Sequence, residues 1–471
     1  MTILAVDLGT SSIKLMRVDE QLAVVALDRV ACPSLDDPGW LDAVRGALRG
    51  HTGTESIAAI AVTGQMHGLV PWEDNGPASG IPWTDQRGAA VLPTLRETLG
   101  PNAPERLGGP LASGFMAVSL AWLRAHDQER WARIRRVSLP KDALIGHLTG
   151  RHVTDPSDAV GTGLLDVARG EWAWDVVEAL GIPREWLPEL VPSGSVVSTV
   201  TEEAARDLGL RPGIPVVIAG GDAPAGAFGA GVVAPDQALI LLSTGAQVIQ
   251  PSATYTPDPD GRWYTWPAAV PPDAGFSPFL RVGTLLNAGI TTAWGRETLA
   301  GAGGLAPEPT GVVMLPHLIG ERTPLNDPHA RGAILGIGPE TSPAAIARAV
   351  LEGIAFSLRH ALETMTTGAP PVSIRLGGGG AHDAAWRQII TDVLGVATER
   401  VDTPDLSAYG AARLAAHALG WPETGTGSPP TACYPDPDRH RRYGELYAIY
   451  RDAVSAVAPL SRRLAAWRGH V

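Results

Sequence analysis

One acidic residue stands in an otherwise small and apolar stretch of this sequence. In GGDAPAGAFGAGVV (220–233), Asp222 follows the run IPVVIA and two glycines. A strand that ends in glycines and then an acid places that acid at the strand's carboxyl end, where α/β proteins bind ligands. A carboxylate there can accept the proton of a substrate hydroxyl. On spacing alone, an aspartate that caps a helix explains the pattern equally well.

The motif VDLGTSSIK (6–14) holds a second acid in a comparable setting. Asp7 ends the apolar run ILAVD, and a glycine and three hydroxyl residues follow it closely. The amides and hydroxyls of such a loop can surround phosphate oxygens, and a carboxylate can hold a hydrated Mg²⁺. An ordinary hairpin turn is the alternative, because Gly, Ser and Thr are common turn residues. The candidate phosphate-binding residues here are Gly9, Thr10, Ser11, Ser12 and Lys14.

A loop of the same kind returns midway along the chain, in LSTGAQ (242–247). Taken alone, Ser243, Thr244 and Gly245 are better explained as a turn between two strands. Two opposed hairpins in one chain can, however, grip a polyphosphate from both sides. We therefore treat these three residues as candidates for a second phosphate loop.

Four consecutive glycines follow the apolar run VSI in RLGGGGAHDAAWRQI (375–389). Gly allows backbone conformations and close approaches that a β-carbon forbids, and the amino end of the following helix favours phosphate. A nucleotide lying against the strand end is one use of such a loop, and a tight strand–helix turn is the alternative. The candidate nucleotide-binding residues are Gly377, Gly378, Gly379 and Gly380.

Other phosphate-binding schemes are missing from the sequence. It contains no GxxxxGK[ST] motif and no complete GxGxxG, which argues against a P-loop enzyme and against a nicotinamide oxidoreductase. Its only lysines are Lys14 and Lys141, and neither follows a glycine. With lysine so scarce, Mg²⁺ is the expected source of positive charge on a transferring phosphate.

Two further motifs carry side chains suited to a polyol. In VTGQMHGLV (62–70), Gln65 and His67 can hydrogen-bond hydroxyl groups, and Met66 can pack against sugar carbons. Taken alone, His67 is more simply explained as a core histidine whose hydrogen bonds are satisfied.

The motif PWTDQR (82–87) adds an aromatic side chain and a carboxylate, from Trp83 and Asp85. The alternative is a surface turn in which Asp85 pairs with Arg87, two residues along the chain. We take Trp83 and Asp85 as candidates for the sugar site.

The elements that must position these residues alternate between strands and helices, which indicates an α/β architecture. The apolar runs in residues 3–30 predict a β-meander with a polar hairpin at its first turn. Residues 237–250 predict a second strand–turn–strand unit, so the chain has two related halves. We place the two domains at residues 1–234 and 235–471.

Three segments of the second half predict helices, at 341–362, 382–395 and 407–420. The first repeats apolar residues every four positions, which gives it one apolar face. Each begins near a residue that caps helices well. The expected caps are Ser342, Asp383 and Ser407.

Composition excludes several classes of partner. The formal net charge is −12, which argues against nucleic acid or an anionic membrane surface as the main partner. The two cysteines, Cys32 and Cys433, form no metal-ligand motif and do not suggest a disulfide framework. The sequence shows neither a signal peptide nor an apolar run long enough to cross a membrane. We therefore expect a protein of the reducing cytoplasm.

These motifs, in this order, resemble the FGGY family of carbohydrate kinases. The matching segments are LAVDLGTSSIK, AVTGQMHG, PWTDQR, LPKDAL, TDPSDAVGTGLLDV, AGGDAPAGAFGAG, GERTPLNDP, RLGGGGAHDAAWRQI and GAARLA. The resemblance implies two actin-like ATPase (ribonuclease H-like) domains with the active cleft between them. It also implies transfer of the γ-phosphate of ATP, with Mg²⁺, to a hydroxyl of a ketopentose, with D-xylulose as the first choice. The family is often dimeric, so a homodimer is possible.

The resemblance also implies residue roles. Asp222 matches the catalytic base, and Asp7 matches the acid that acts with the metal, so we expect the two to meet across one cleft. The positions that match ligand-binding elements are Met66 and His67 for the sugar, residues 243–245 for phosphate and residues 377–380 for adenosine.

The sequence departs from the family pattern at the sugar site. Ala223 stands where an Asn or Gln usually follows the catalytic Asp, and Thr84 replaces the Asn of W-N-D-x-R. Losing an amide removes a hydrogen-bond partner, which can redirect specificity without abolishing phosphate transfer. A kinase of another ketose or polyol, and a non-catalytic actin-like sensor of sugar or nucleotide, are the alternatives.

Overall fold

The computed structural model describes residues 1–51, 56–299, 304–422 and 431–468. Its strands are β1 (Thr2–Leu8), β2 (Ser12–Asp19), β3 (Val24–Ala31), β4 (Ile57–Gly64), β5 (Val70–Glu73), β6 (Gly76–Pro77), β7 (Arg136–Ser138), β8 (Val153–Thr154), β9 (Leu165–Asp166), β10 (Glu171–Trp172), β11 (Glu189–Leu190), β12 (Val196–Thr199), β13 (Pro215–Gly221), β14 (Gln237–Leu242), β15 (Ala246–Ser252), β16 (Tyr264–Pro267), β17 (Phe279–Leu285), β18 (Val313–Leu315), β19 (Ala333–Leu335), β20 (Ser373–Gly377), β21 (Thr398–Arg400) and β22 (Thr431–Cys433).

The α-helices in the described ranges follow the same chain order. They are α1 (Trp40–His51), α2 (Leu92–Leu99), α3 (Ala103–Arg106), α4 (Met116–His126), α5 (Gln128–Arg133), α6 (Pro140–Thr149), α7 (Pro156–Ala159), α8 (Trp174–Ala179), α9 (Glu202–Leu208), α10 (Asp222–Gly229), α11 (Gly289–Thr298), α12 (Pro343–Met365), α13 (Ala384–Leu394), α14 (Leu406–Ala418) and α15 (Pro437–Arg468). Within these ranges, no helix combines the length and the hydropathy that a bilayer crossing requires.

The first large sheet has the strand order β12–β13–β4–β1–β2–β3. β1, β2 and β3 are antiparallel neighbours in chain order, which confirms the predicted meander. β4 runs parallel to β1, and β13 runs parallel to β4. The carboxyl ends of β1, β4 and β13 therefore meet at one edge of the sheet, and this edge carries several of the candidate residues.

The second large sheet, β16–β17–β15–β14–β20–β21–β22, repeats that arrangement. β14 and β15 form the predicted hairpin, and β15 pairs antiparallel with β17. β14 also runs parallel to β20, which runs parallel to β21. Each half of the chain thus opens with a hairpin whose first strand begins a parallel set.

The predicted helices of the second half are present, with one cap assigned wrongly from sequence. Ser342 caps α12 and Asp383 caps α13 through side-chain oxygens that accept backbone N–H groups. α14 is capped by Asp405, whose carboxylate accepts from the N–H of Ala408. Ser407, the predicted cap, is instead the second residue of that helix, and its hydroxyl donates to the backbone carbonyl of Asp222.

Small residues allow α10 and α14 to pack unusually closely. A β-carbon at Gly410 would lie 1.8 Å from the carbonyl oxygen of Ala225, and one at Gly229 would lie 2.2 Å from that of Leu406. α14 also packs against the first sheet, where Tyr409 is buried among residues of β1, β2 and β4. A helix from the second half of the chain therefore forms part of the core that supports the first sheet.

Candidate active site

The first sheet brings three predicted groups to one edge. Asp7 is the penultimate residue of β1, Gln65 directly follows β4, and Asp222 directly follows β13. Because these strands are parallel neighbours, their carboxyl ends lie side by side. We call this the first edge. Asp7 and Asp222, which we expect to meet at one cleft, both lie at this edge of the same sheet, and the charge of Asp7 raises the pKa of Asp222.

Asp222 is held at the amino end of α10 by backbone groups. Its Oδ1 accepts a 2.8 Å hydrogen bond from the N–H of Ala223. Burial is the main cause that raises the pKa of this carboxyl to about 7, and the charge of Asp7 adds to it. The N–H groups of Ala223 and Met66, together with Lys14, partly oppose the rise. The carboxyl group is therefore poised near neutral pH, which suits a general base.

Asp7 is almost wholly buried and forms a salt bridge at one of its oxygens. Lys14, its partner across β1 and β2, places Nζ 2.7 Å from Oδ2, and the same Nζ lies 2.9 Å from Oδ2 of Asp405. Burial raises the pKa of Asp7, and the nearby Lys14 limits the rise. The other oxygen, Oδ1, is buried without a hydrogen-bond partner. One carboxylate oxygen of Asp7 is thus free to bind a ligand.

The hairpin after β1 places its hydroxyl beside the predicted sugar-binding residues. Thr10 Oγ1 donates to Oε1 of Gln65 at 3.1 Å and accepts from Nε1 of Trp83 at 3.0 Å. The turn is closed by the N–H of Gly9, which donates to the carbonyl of Ser12. The first phosphate-loop candidates and the sugar candidates therefore adjoin.

His67 has an unusual backbone and a fixed ring. Its φ is +67°, in the left-handed region, and Nδ1 lies 3.0 Å from the carbonyl oxygen of Gly161. The ring also lies 4.4 Å, centroid to centroid, from Phe115. Burial lowers its pKa to about 4, so the imidazole is neutral. Because a carbonyl oxygen only accepts, Nδ1 carries the hydrogen and Nε2 remains an acceptor.

The remaining sugar candidates differ in how far they are enclosed. Trp83 is 44% exposed, and Met66 is buried, with its side chain against Gly221. Asp85 accepts from the backbone N–H and from Nε of Arg87, both at 2.8 Å. The ion pair between Asp85 and Arg87 that the sequence suggested is therefore present. All of the sugar candidates come from the half of the chain that forms the first sheet.

The second sheet gathers the other two loops at its own edge, which we call the second edge. Ser243, Thr244 and Gly245 connect β14 to β15, and both hydroxyl residues are exposed. The glycine run follows β20, the parallel neighbour of β14. Gly378 has a φ of +82°, and a β-carbon there would lie 2.4 Å from the carbonyl oxygen of Leu242. The glycine run therefore packs against the strand that leads into the second phosphate loop.

A cavity of about 320 Å³ joins the two edges. Asp222 and Ala223 line it from the first half of the chain, and Gly377 and Gly378 line it from the second. Asp405 completes the wall beside Lys14. The cavity places the predicted base and the predicted nucleotide-binding glycines around one space.

Sequence reasoning missed two residues at this junction. Asp405 caps α14 and binds Lys14, so it ties that helix to the first hairpin. Ser407 donates a 2.9 Å hydrogen bond to the backbone carbonyl of Asp222. Asp and Ser both cap helices well, so Ser407 was predicted as the cap in place of Asp405, and the contacts that these residues make with distant segments had no local signal in the sequence.

Comparison with known proteins identifies the family. Models of the FGGY family of carbohydrate kinases match residues 2–229 (N-terminal domain) and 240–419 (C-terminal domain). Over 437 residues the chain is 32% identical to the xylulose kinase of Escherichia coli (strain K12), which covers 88% of this chain and 89% of that protein.

Solved structures show the same fold. The crystal structure of xylulose kinase from Rhodospirillum rubrum matches with a TM-score of 0.85 at 26% identity, over 98% of this chain and 100% of that one. A gluconate kinase from Lactobacillus acidophilus matches with a TM-score of 0.90 at 24% identity, over 98% and 99%. The predicted pair of actin-like domains is confirmed. Since the two family models together match most of the sequence, the chain belongs to the FGGY family of carbohydrate kinases and is a phosphotransferase that acts on a sugar.

Proposed function

We propose that the protein transfers the γ-phosphate of ATP to a hydroxyl of a ketopentose, with D-xylulose as the acceptor. The position of Asp222 carries this proposal. Its carboxyl group lies beside Met66 at the first edge and lines the cavity that reaches the glycine run. Curated relatives named xylulose kinase, across nearly the whole chain, support the choice of sugar.

In this proposal Asp222 accepts the proton of the attacking hydroxyl. A base works best when its pKa lies near the working pH, and the raised pKa of about 7 meets that condition. Phosphoryl transfer depends mainly on positioning and on neutralising charge. The backbone N–H of Ala223, 2.8 Å from Oδ1, fixes the orientation of the carboxylate before the sugar binds.

Asp7 is the residue that would hold Mg²⁺. Its Oδ1 is buried and unpartnered, as a ligand oxygen awaiting a cation would be. Within the described residues, no group of three or more His, Cys, Asp or Glu side chains is arranged to bind a metal; Mg²⁺ typically uses one or two carboxylates plus waters and substrate phosphates, so this fits. The ion would neutralise charge on the phosphates. Lys14 keeps the other oxygen of Asp7 oriented at 2.7 Å.

The two phosphate loops and the glycine run would bind ATP mainly through backbone groups. Residues 9–12 and 243–245 would surround the phosphates, with Lys14 near the first loop. Residues 377–380 would take the adenosine, since Gly377 and Gly378 line the cavity and the β-carbon position of Gly379 faces open space. We propose domain limits at residues 1–234 and 235–471, with the nucleotide held mainly by the second.

The sugar would bind to the side chains at the first edge. Nε2 of neutral His67 and the amide of Gln65 can hydrogen-bond hydroxyl groups, and Met66 can pack against carbons. Trp83 and Asp85 would close the site from the adjoining turn. We further propose a cytoplasmic enzyme, and a homodimer as its assembly.

The acceptor is tested by ADP release from purified protein with Mg-ATP. The panel contains D-xylulose, D-ribulose, D-fructose, D-gluconate, xylitol and glycerol, each at matched concentration. We expect D-xylulose to give the highest kcat/KM. A higher value for another ketose, a polyol or gluconate would overturn the choice of sugar, and the absence of stimulated ADP release would overturn the proposed acceptor class.

A further inference from the structure

A cluster of four charged side chains lies fully buried behind the turn that carries Asp222. Lys141 is hydrogen-bonded to Asp142, and its Nζ lies 2.9 Å from Asp155 and 3.2 Å from Asp158. All four side chains are fully excluded from solvent. Ion pairs in such a setting are costly to desolvate, so they are weak evidence of a purely stabilising role.

Asp155 is the carboxylate that stays charged in this cluster. Burial alone would raise its pKa, but Lys141 and the hydroxyls of Ser157 and Ser193 outweigh this and lower it. Burial instead raises the pKa of Asp142 to about 6 and that of Asp158 well above its usual range. The central unit is therefore a Lys141–Asp155 ion pair, and of the two other carboxyl groups Asp158 is the one that tends toward its neutral form.

The ion pair reaches the catalytic turn through a single hydroxyl. Ser157 donates to Oδ1 of Asp155 at 2.5 Å and accepts from the backbone N–H of Gly221 at 3.3 Å. On the other side of the turn, Thr63 donates a 2.8 Å hydrogen bond to the carbonyl of Gly220. The peptide unit between Gly220 and Gly221, one unit before Asp222, is thus held at both its carbonyl and its N–H.

The turn has no room for other residues. Gly220 has a φ of +84°, and a β-carbon there would lie 2.6 Å from Oγ of Ser157. A β-carbon at Gly221 would lie 2.6 Å from Met66 and 3.3 Å from Oδ1 of Asp158. Because the two glycines have no side chains, Ser157 and Asp158 lie directly against the backbone that precedes Asp222.

We propose that Ser157, held by the Lys141–Asp155 pair, is a positioning residue that aims Asp222 at the acceptor hydroxyl. This rests on the proposed role of Asp222 as the base. The relay runs from the ammonium of Lys141 through Asp155 and the Ser157 hydroxyl to the N–H of Gly221. Fixing that peptide fixes the start of α10 and the direction of the Asp222 side chain.

The matched pair of variants is Ser157→Ala and Ser193→Ala. Ser193 is also buried and donates to the same Oδ1 of Asp155, at 2.7 Å, but among the described residues it forms no hydrogen bond with the turn. We expect Ser157→Ala to lower kcat about tenfold while the KM for ATP changes less than about twofold. Ser193→Ala should keep kcat within about twofold of the unchanged enzyme. Equal losses of kcat in the two variants would overturn the proposal.

Hydrogen–deuterium exchange of the peptide that contains Gly221 gives a readout independent of turnover. We expect faster exchange at that amide in Ser157→Ala and no change in Ser193→Ala. Faster exchange with unchanged kcat would overturn the positioning role and leave the kinase proposal intact. If Ser157→Ala does not fold, Ser157→Cys keeps the volume while weakening the hydrogen bonds, and the same outcomes apply. Full turnover in Asp222→Asn would overturn the base role of Asp222 and with it the positioning role of Ser157, while the proposed acceptor would stand.

Discussion

The first and second edges occupy the same place in two similar sheets but are formed by different types of residue. The first edge presents charged and polar side chains in largely buried settings, with Asp7 only 1% exposed. The second presents exposed hydroxyl residues and glycines, as at Ser243 and Gly378. Proton transfer needs titratable groups in a low-dielectric setting, whereas a nucleotide can be held by backbone shape and N–H groups. In the proposed function, one fold plan thus supplies the catalytic base at one edge and the adenosine-binding glycines at the other.

The difference arises from what covers each edge. Residues inserted between β4 and β13 enclose the first edge, and Phe115 and Gly161 hold His67 from that insertion. At the second edge, the close approach of Gly378 to β14 takes the place of side-chain packing. A substitution at the first edge should therefore act on kcat or on the sugar, and one at the second should act on ATP.

The largest effect is expected from Asp222→Asn. The amide cannot accept the acceptor's proton, so kcat should fall about a thousandfold. The KM for ATP should change little, because the second edge is untouched. Coupled measurement of ADP release gives kcat, and a direct nucleotide-binding titration provides the control. Turnover above about a tenth of the original would contradict a base role for Asp222.

The pH dependence should follow the same carboxyl group. Asp222 acts as a base only when deprotonated, and its pKa is raised to about 7, so activity is lost as the pH falls through that value. We expect kcat/KM for the sugar to fall about fiftyfold between pH 7 and pH 5, because half of a base with that pKa is deprotonated at pH 7 and about 1% at pH 5. The charges that face Asp222 are Asp7, which raises its pKa, and Lys14, which lowers it.

The nucleotide must be controlled in that experiment, because the terminal phosphate of ATP titrates in a similar range, near a pKa of about 6. Mg-ATP is therefore kept saturating at every pH. A profile that stays flat down to pH 5.5 would show that the rate does not depend on ionised Asp222.

Gly378→Ala changes the second edge, so we expect it to affect the binding of ATP. Its φ of +82° disfavours a side chain, and the new β-carbon would lie 2.4 Å from the carbonyl of Leu242. We expect the KM for ATP to rise about tenfold, in line with about 1–3 kcal/mol of backbone strain, with the KM for the sugar nearly unchanged. Gly379→Ala is the control, because no atom lies within 4 Å of its β-carbon position. Similar KM values for ATP in both variants would contradict the prediction.

The sequence was most informative where function depends on local pattern. A strand, two glycines and an acid located Asp222, and strand–turn–strand signals located both hairpins, because each signal lies within a few neighbouring residues. The α/β fold and the helices α12 and α13 followed in the same way. The ligand-binding roles of these residues are part of the proposed function.

Contacts between distant segments could not be predicted in that way. Ser407 and the carbonyl of Asp222 are 185 residues apart in the chain, and Ser157 reaches Gly221 across 64 residues. The first contact depends on how α10 and α14 pack, and the second depends on how α7 packs against β13. Asp405 was missed as the cap of α14 because Ser407, two residues along the chain, is also a residue type that caps helices well.

The smallest expected effect comes from Ala223→Asn, which restores the amide that the family usually places after the base. Ala223 is half-buried and lines the 320 Å³ cavity, so a longer side chain has space. One added hydrogen bond is typically worth about 0.5–1.5 kcal/mol, so the KM for D-xylulose should fall about threefold. Ala223→Leu is the matched control of similar size without the amide, and it should not lower that KM. The same cavity reaches Gly377. A change in the KM for ATP in place of a change in the KM for D-xylulose would therefore indicate that residue 223 lies beside the nucleotide and not beside the sugar.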